Sequence, residues 1–272
     1  MKYEDRTETP SQIAKRVIDS RCKCYAGHLH SRYSRSKGFA VNFDRLERFP
    51  GRMQKASAWS DLRGKSRIDE PWLNGLARLI FVSDMGDALA AGVSFDYLKS
   101  EIIDNVSSEN GRRHVWLWLT KRCGRMAEFS DWLHERFVPW PDNLVAMTSV
   151  TGRKTVSRVN DLRRVRCRLR GLSVEPLWES VDLPLEEISW TIVGGESSSA
   201  ARPFDPAWAR EIREQCREAE VAFFVKQLGS NPVEDGEPLR LKDGHGGDWN
   251  EWPDDLRIRE LPGAFRSMGG AR

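Results

Sequence analysis

The sequence predicts an α/β protein built on a parallel sheet, and three observations predict it. Six short apolar runs are separated by segments of helical periodicity, most of the runs lack the alternation of a half-exposed strand, and nearly every run ends in polar residues. Strands covered on both faces need no polar alternation, and strand, helix, strand repetition specifies parallel pairing with right-handed crossovers. Periodicity alone does not separate a barrel from an open sheet.

The elements follow in order. ARLIFVSD (77–84) is the first strand after an irregular, basic N-terminal region. Ser94 can cap FDYLKSEIIDNV, where Phe95, Leu98, Ile102 and Val106 share a stripe. HVWLWLTK (114–121) is a strand, MAEFSDWLHERF (126–137) a helix, and NLVAMTSV (143–150) the next strand. VSRVNDLRRV (156–165) reads as a helix, followed by the strands CRLRGLSVEP (167–176) and SWTIVGGE (189–196). Asp205 and Pro206 open PAWAREIREQCREAE, with Trp208, Ile212 and Ala219 on one face. VAFFVKQLG (221–229) ends the series. Residues 77–229 thus form the core. Residues 1–76 hold a cysteine-containing segment and the start of the sheet, and 230–272 form a Gly/Trp-rich tail packed on it.

At 272 residues with 39% hydrophobic side chains, the chain can bury a sizeable core. It has no run of about 18 apolar residues and no signal-peptide pattern, so no membrane and a cytoplasmic location are expected, the host cytoplasm if the gene is a phage's. Five cysteines at irregular spacing describe reduced thiols or metal ligands rather than a disulfide framework. The net charge of +3 hides the segment 152–171, which carries eight Lys/Arg against the single Asp161. It reads either as a surface for a nucleotide or nucleic acid, with Arg163, Arg164, Arg166 and Arg168 on phosphates, or as a solvated helix face. Most of the eleven tryptophans fall in apolar periodic segments and read as packing.

In parallel α/β folds the ligand site lies at the carboxyl ends of the strands. Ser83, Asp84, Lys121, Glu175, Gly194, Gly195, Glu196 and Lys226 all fall there. Lys121, Glu175 and Lys226 are the candidate catalytic residues. Gly194 and Gly195, followed by Glu196 and Ser197, can bring backbone N–H groups to a ligand, or simply make a tight turn; with Ser83 and Asp84 they are the candidate cofactor-binding residues. Cys123, at a helix start beside Lys121 and Arg122, is expected to have a lowered thiol pKa, or else to be a half-buried Cys in a basic turn. RCKCYAGHLH (21–30) concentrates two cysteines and two histidines, with Cys24 and His28 at i, i+4. Cys22, Cys24, His28 and Cys123 are the candidate metal ligands, although Cys22 and Cys24 are closer than a C-x-x-C turn requires.

A resemblance joins these pieces. CYA, FVSDMGD, LTKRCGRM, NLVAMTSV, RGLSVEPL, SWTIVGGESSSAARPFDPAWAREIREQC, VAFFVKQLG and GGDWNEWP, in this order over 24–262, resemble the three-Cys-motif proteins of bacteriophages and bacteria. That domain of unknown function is similar to the radical S-adenosylmethionine enzymes. The resemblance implies a parallel (βα) barrel, partial with six or more strands and radical-SAM-like, and a [4Fe-4S] cluster on three cysteines that cleaves S-adenosylmethionine to a radical. It also implies a separate partner protein and, with the basic segment, modification of a nucleotide or nucleic acid. The chain departs from the pattern at its centre: aligned on Cys24-Tyr25-Ala26, the other two cysteine positions hold Arg21 and Ala14. Two readings therefore stand. One is a radical enzyme with a rebuilt cluster; the other is a cluster-free, catalytically inactive barrel that binds phosphate, nucleic acid or protein. Zinc at Cys22, Cys24 and His28 is a third.

Overall fold

The computed structural model describes residues 30, 33, 36, 40–42, 46–83 and 86–268. The chain divides into two compact units, 1–52 and 53–272, and the fold below is that of the second.

Six parallel strands pair strictly in chain order: β1 (Leu79–Val82), β2 (Val115–Thr120), β3 (Leu144–Ser149), β4 (Arg170–Val174), β5 (Trp190–Gly194) and β6 (Ala222–Gln227). All six expected strands are present, each shorter by a few residues than its apolar run. The sheet curls into a half-barrel, as a singly wound order demands, because every crossover then lies on the same side. Alternation of side chains sorts the strand residues accordingly. Trp116, Trp118, Ala146, Leu172, Val193 and Val225 pack toward the helices, while Val115, Leu117, Val145, Met147, Trp190 and Ile192 form a second cluster on the concave face.

Helices cover the convex side. α1 (Arg52–Ser57) precedes β1. A continuous helical stretch follows β1: α2 (Phe95–Leu98), a π turn (Lys99–Ile103) and α3 (Asp104–Ser107). Ser94 caps it as expected, accepting from Tyr97 N–H at 3.3 Å. The π turn departs from the plain helix that the stripe of Phe95, Leu98, Ile102 and Val106 predicts. Its extra residue lets both Ile102 and Ile103 enter the core, and the Asn105 amide donates to the freed Ser100 and Glu101 carbonyls. α4 (Cys123–His134), α5 (Arg158–Arg163) and α6 (Pro206–Glu218) complete the layer, and Asp205 caps α6 through Ala207 N–H at 2.8 Å. Trp118 stacks on Trp140 with Phe129 edge-on, so these tryptophans are packing residues.

The tail covers the edge of the described sheet beside β6. Val225 N–H donates to Ile258 O and Glu260 N–H to Phe223 O, which caps the free edge of β6. Phe265 and Met268, with Leu261, then lie in the concave face against Leu76, Ala77 and the inward residues of β2, β3 and β5. The hairpin β7 (Val233–Glu234) and β8 (Glu237–Pro238) precedes this tail. Among the described residues no helix is long and apolar enough to cross a membrane.

His114, before β2, is fully buried, with Nε2 donating to Ser57 O at 3.0 Å and Nδ1 unpartnered. Burial pushes its pKa below the ordinary value, because protonation would seal an unpaired N–H in the core. The sign follows by linkage: below about pH 6.5 the unfolded chain takes up a proton that the folded chain refuses, so stability falls as pH falls. Urea unfolding between about pH 7 and pH 5 should show this loss in the wild type and a flatter profile in His114→Gln. Parallel slopes in the two proteins would remove His114 from the pH response.

Candidate functional site in the half-barrel mouth

All six strands are parallel, so their carboxyl ends and following loops meet on one rim. Ser83, Lys121, Glu175, Gly194, Gly195, Glu196, Ser197 and Lys226 all lie at or just past those ends. Asp84, Cys22, Cys24 and His28 lie outside the described residues.

The concave face changes character as it rises toward this rim. Its lower part is apolar, with Met147 laid over Gly171, where a Cβ would come within 2.9 Å of the methionine methyl. Above it Ser149 pairs in register with Ser173, both buried. Then come Glu175, just past β4, and Lys226, on β6. Ser173 Oγ donates to Glu175 Oε2 at 3.2 Å, and Lys226 Nζ stands 3.2 Å from Glu175 Oε1. That oxygen is sealed from solvent and accepts no hydrogen bond among the described residues, so the ammonium holds it by charge rather than by an aligned bond.

Glu175 and Lys226 belong to strands separated by β5, a gap of two strand spacings or roughly 9.6 Å. The carboxylate crosses it because the β5 residue beneath is Gly194: a Cβ there would lie 2.7 Å from Glu175 Oε1. Gly195 serves a different approach. Its N–H donates to Gln227 O, and a Cβ would run into the Leu228 carbonyl. The glycine pair therefore brings protein to protein, with Gly194 opening the path of the ion pair.

The other candidates distribute around the rim. Glu196 accepts from Arg202 N–H at 3.1 Å and Nε at 3.0 Å and so turns toward the loop before α6. Ser197 Oγ accepts from Gln227 Nε2 at 2.9 Å. At the end of β2, Asp87 accepts from Thr120 Oγ1 and from Arg122, both at 2.9 Å. The expected lowering of the Cys123 pKa is reversed. The thiol lies on the helix-packed face, donates to Thr148 Oγ1 at 2.7 Å, and is pushed up to about 11 by burial, which outweighs the charge of Arg158. The helix start that was expected to activate the thiol instead carries it into the core.

The basic segment splits between the two ends of the sheet. Arg153, Lys154 and Arg158 fall in and just after the β3–α5 loop at the rim. Arg163, Arg164, Arg166 and Arg170 run toward the opposite end and pair with Glu186, Asp161, Asp131 and Glu187.

Sequence reading missed Trp178 and Arg202. The Arg202 guanidinium lies 3.7 Å from the Trp178 ring, and these two with Pro203 and Trp208 line a cavity of about 310 Å³. The one available signal was an aromatic residue soon after a strand end; its partner is 24 positions later.

A parallel sheet wound in chain order, with a carboxylate, an ammonium and a hydroxyl gathered at its carboxyl rim, defines a (βα) half-barrel protein with its candidate site in the mouth. The chain belongs to a family described as proteins of unknown function, DUF5131, whose family model matches residues 1–253. Comparisons with curated proteins and with solved structures gave no match.

The glycine geometry has a direct consequence. Gly195→Ala should lower stability by about 1–3 kcal/mol in urea unfolding, because backbone must move, whereas Gly194→Ala should cost less, since the carboxylate end can swing aside. Equal stability of Gly195→Ala and wild type would refute the close approach.

Proposed function

We propose that the half-barrel mouth binds a phosphate-bearing ligand of the nucleotide class, with Lys226 as the anion contact and Glu175 as the group able to hold or move a proton. The observation that carries this reading is the Glu175–Lys226 pair bridging β5. Lys226 is 55% exposed and Glu175 16% exposed, so the positive end of the pair faces the opening. The ammonium is more than half exposed and screened by water, so its pairing with Glu175 leaves it available to an anion. An ammonium has three donors, and one direction toward Glu175 leaves others for ligand oxygens. Lys121, Arg153, Lys154 and Arg158 add positive charge from neighbouring loops, which raises the local concentration of an anionic ligand. Ser173 orients Glu175 from below.

A second reading is favoured by the strand order. Six parallel strands in sequence, with cysteines in the chain before them, suit a radical S-adenosylmethionine enzyme in which a cluster would supply reductive cleavage of a sulfonium. Cys123 is sealed against Thr148 on the convex side, and no group of three His, Cys, Asp or Glu side chains among the described residues is placed to hold a metal. Any ligands would have to come from Cys22, Cys24 and His28, which leaves Lys226 and Glu175 with the same binding role in either reading.

Two measurements test these readings. In equilibrium dialysis, AMP should bind the wild type, and Lys226→Ala should weaken it by at least about tenfold, as loss of a charge-assisted contact implies. Unchanged affinity in Lys226→Ala would remove the anion-binding role. Anaerobic reconstitution with iron and sulfide tests the second reading: about four irons per chain with absorbance near 400 nm would establish it, and a colourless protein would remove it.

A further inference from the structure

The cavity of about 310 Å³ between the β4–β5 loop and the start of α6 has walls of one kind. Trp178, Trp208, Arg202 and Pro203 line it, so two indoles and a guanidinium dominate the surface offered. The Arg202 plane lies against the Trp178 ring at 3.7 Å, and its charge is met by Glu196 through Nε at 3.0 Å. A cavity lined by two indoles and a guanidinium, with its one cation neutralised, suits an uncharged planar ring rather than a phosphate.

The walls are tied together before any ligand arrives. Gln215 of α6 reaches back to the β4–β5 loop, donating to Val181 O and accepting from Leu183 N–H, both at 2.9 Å. Ser180 also bonds Glu211 of the same helix. From the other side Arg153 N–H donates to Glu179 Oε1 at 2.8 Å and Arg153 Nε to Ser180 O at 3.1 Å. The loop that carries Trp178 is thus pinned to α6, which carries Trp208. A preformed cavity spares a ligand the cost of ordering it.

The cavity also lies beside the mouth. Trp178 is three residues after Glu175, so their Cα atoms are at most about 11 Å apart, and Arg202 holds Glu196, two residues beyond Gly194. We propose that this cleft is a nucleobase subsite, taking the ring of a nucleoside whose phosphate lies at Lys226. The choice of a nucleotide rests on the anion-binding reading of the mouth, but the cleft itself stands on separate residues. Bases stack on aromatic rings and guanidinium planes, and the tolerance of stacking for any π face gives affinity without strict base choice.

Separate probes for the two halves of the ligand test the proposal. Adenosine, which has no phosphate, should bind the wild type. It should bind at least about fivefold more weakly to Trp178→Leu and Trp208→Leu, as loss of a stacking wall implies, and equally well to Lys226→Ala. Ribose 5-phosphate should show the reverse pattern. Wild-type protein that binds ribose 5-phosphate but not adenosine overturns the cleft and leaves the mouth; binding of adenosine without ribose 5-phosphate overturns the mouth and leaves the cleft. Adenosine affinity unchanged in both tryptophan variants also overturns the cleft. Should a variant fail to fold, photocrosslinking of wild type with 8-azidoadenosine decides: adducts on peptides containing Trp178, Pro203 or Trp208 support the subsite, and adducts confined elsewhere refute it.

Discussion

A half-barrel has a face that no helix can reach, and covering that face is the constraint on which the rest of the structure depends. The crossovers of a sheet wound in chain order all lie on its convex side. The inward residues Val115, Leu117, Val145, Met147, Trp190 and Ile192 would meet water unless something else covered them. Here the covering comes from two segments distant in sequence, Leu73 to Ala77 before β1 and Leu261 to Met268 at the end of the described chain. Burying a side chain such as Phe265 contributes about 1.5–3 kcal/mol, a sizeable share of the roughly 5–15 kcal/mol by which a domain is stable. Residues 254–268 lie beyond the stretch that the family model matches, so in this chain part of the core is supplied from outside that stretch.

Because the covering segments fill only the lower part of the concavity, the upper part is free to be polar. There the side chains shift from Met147 and Ile192 to Ser149 and Ser173 and then to Glu175 and Lys226. A carboxylate placed deeper would face a desolvation penalty that one lysine could not offset. At the rim Lys226 keeps contact with water while Glu175 is largely covered, which leaves the pair both held and accessible. Arg259 runs beside β6, bridging to Phe224. Its guanidinium lies among Trp72, Trp249, Trp252 and Phe224, and it donates to the Val225 and Lys226 carbonyls, fixing the strand that presents Lys226.

The strands and the rim were legible in the sequence because both follow from local rules. Buried parallel strands are continuous apolar runs, and their first solvent-facing residues are polar, so Lys121, Glu175 and Lys226 could be named from position alone. Ser94 and Asp205 were legible as caps for the same reason. What escaped was set by register or by distance. Cys123 looks activated beside Lys121 and Arg122, but as the first residue of α4 it faces the core, and sequence spacing cannot weigh desolvation against nearby charge. The π turn was hidden because the apolar stripe fits a regular helix until Ile103 must also be buried. The basic run looked continuous in sequence, yet a helix and a loop carry its two halves to opposite ends of the sheet.

Gly194 shows how a single absent side chain links these levels. Read alone, a glycine pair after a strand suggests backbone presented to a ligand. In the fold, β5 lies between the strands of Glu175 and Lys226, and a Cβ on Gly194 would meet the Glu175 carboxylate. The two charged residues are 51 positions apart, so their meeting requires the intervening strand to be in this order, in this register, and bare at this one point. The next residues continue the division of labour: Gly195 admits the Leu228 carbonyl, Glu196 holds Arg202, and Arg202 lies flat on Trp178. Three consecutive positions of one strand end thereby set the ion pair in the mouth, the packing of β6 beside it, and one wall of the aromatic cleft. A shift of one residue in β5 would disturb all three at once, because each depends on a neighbouring position of the same strand end.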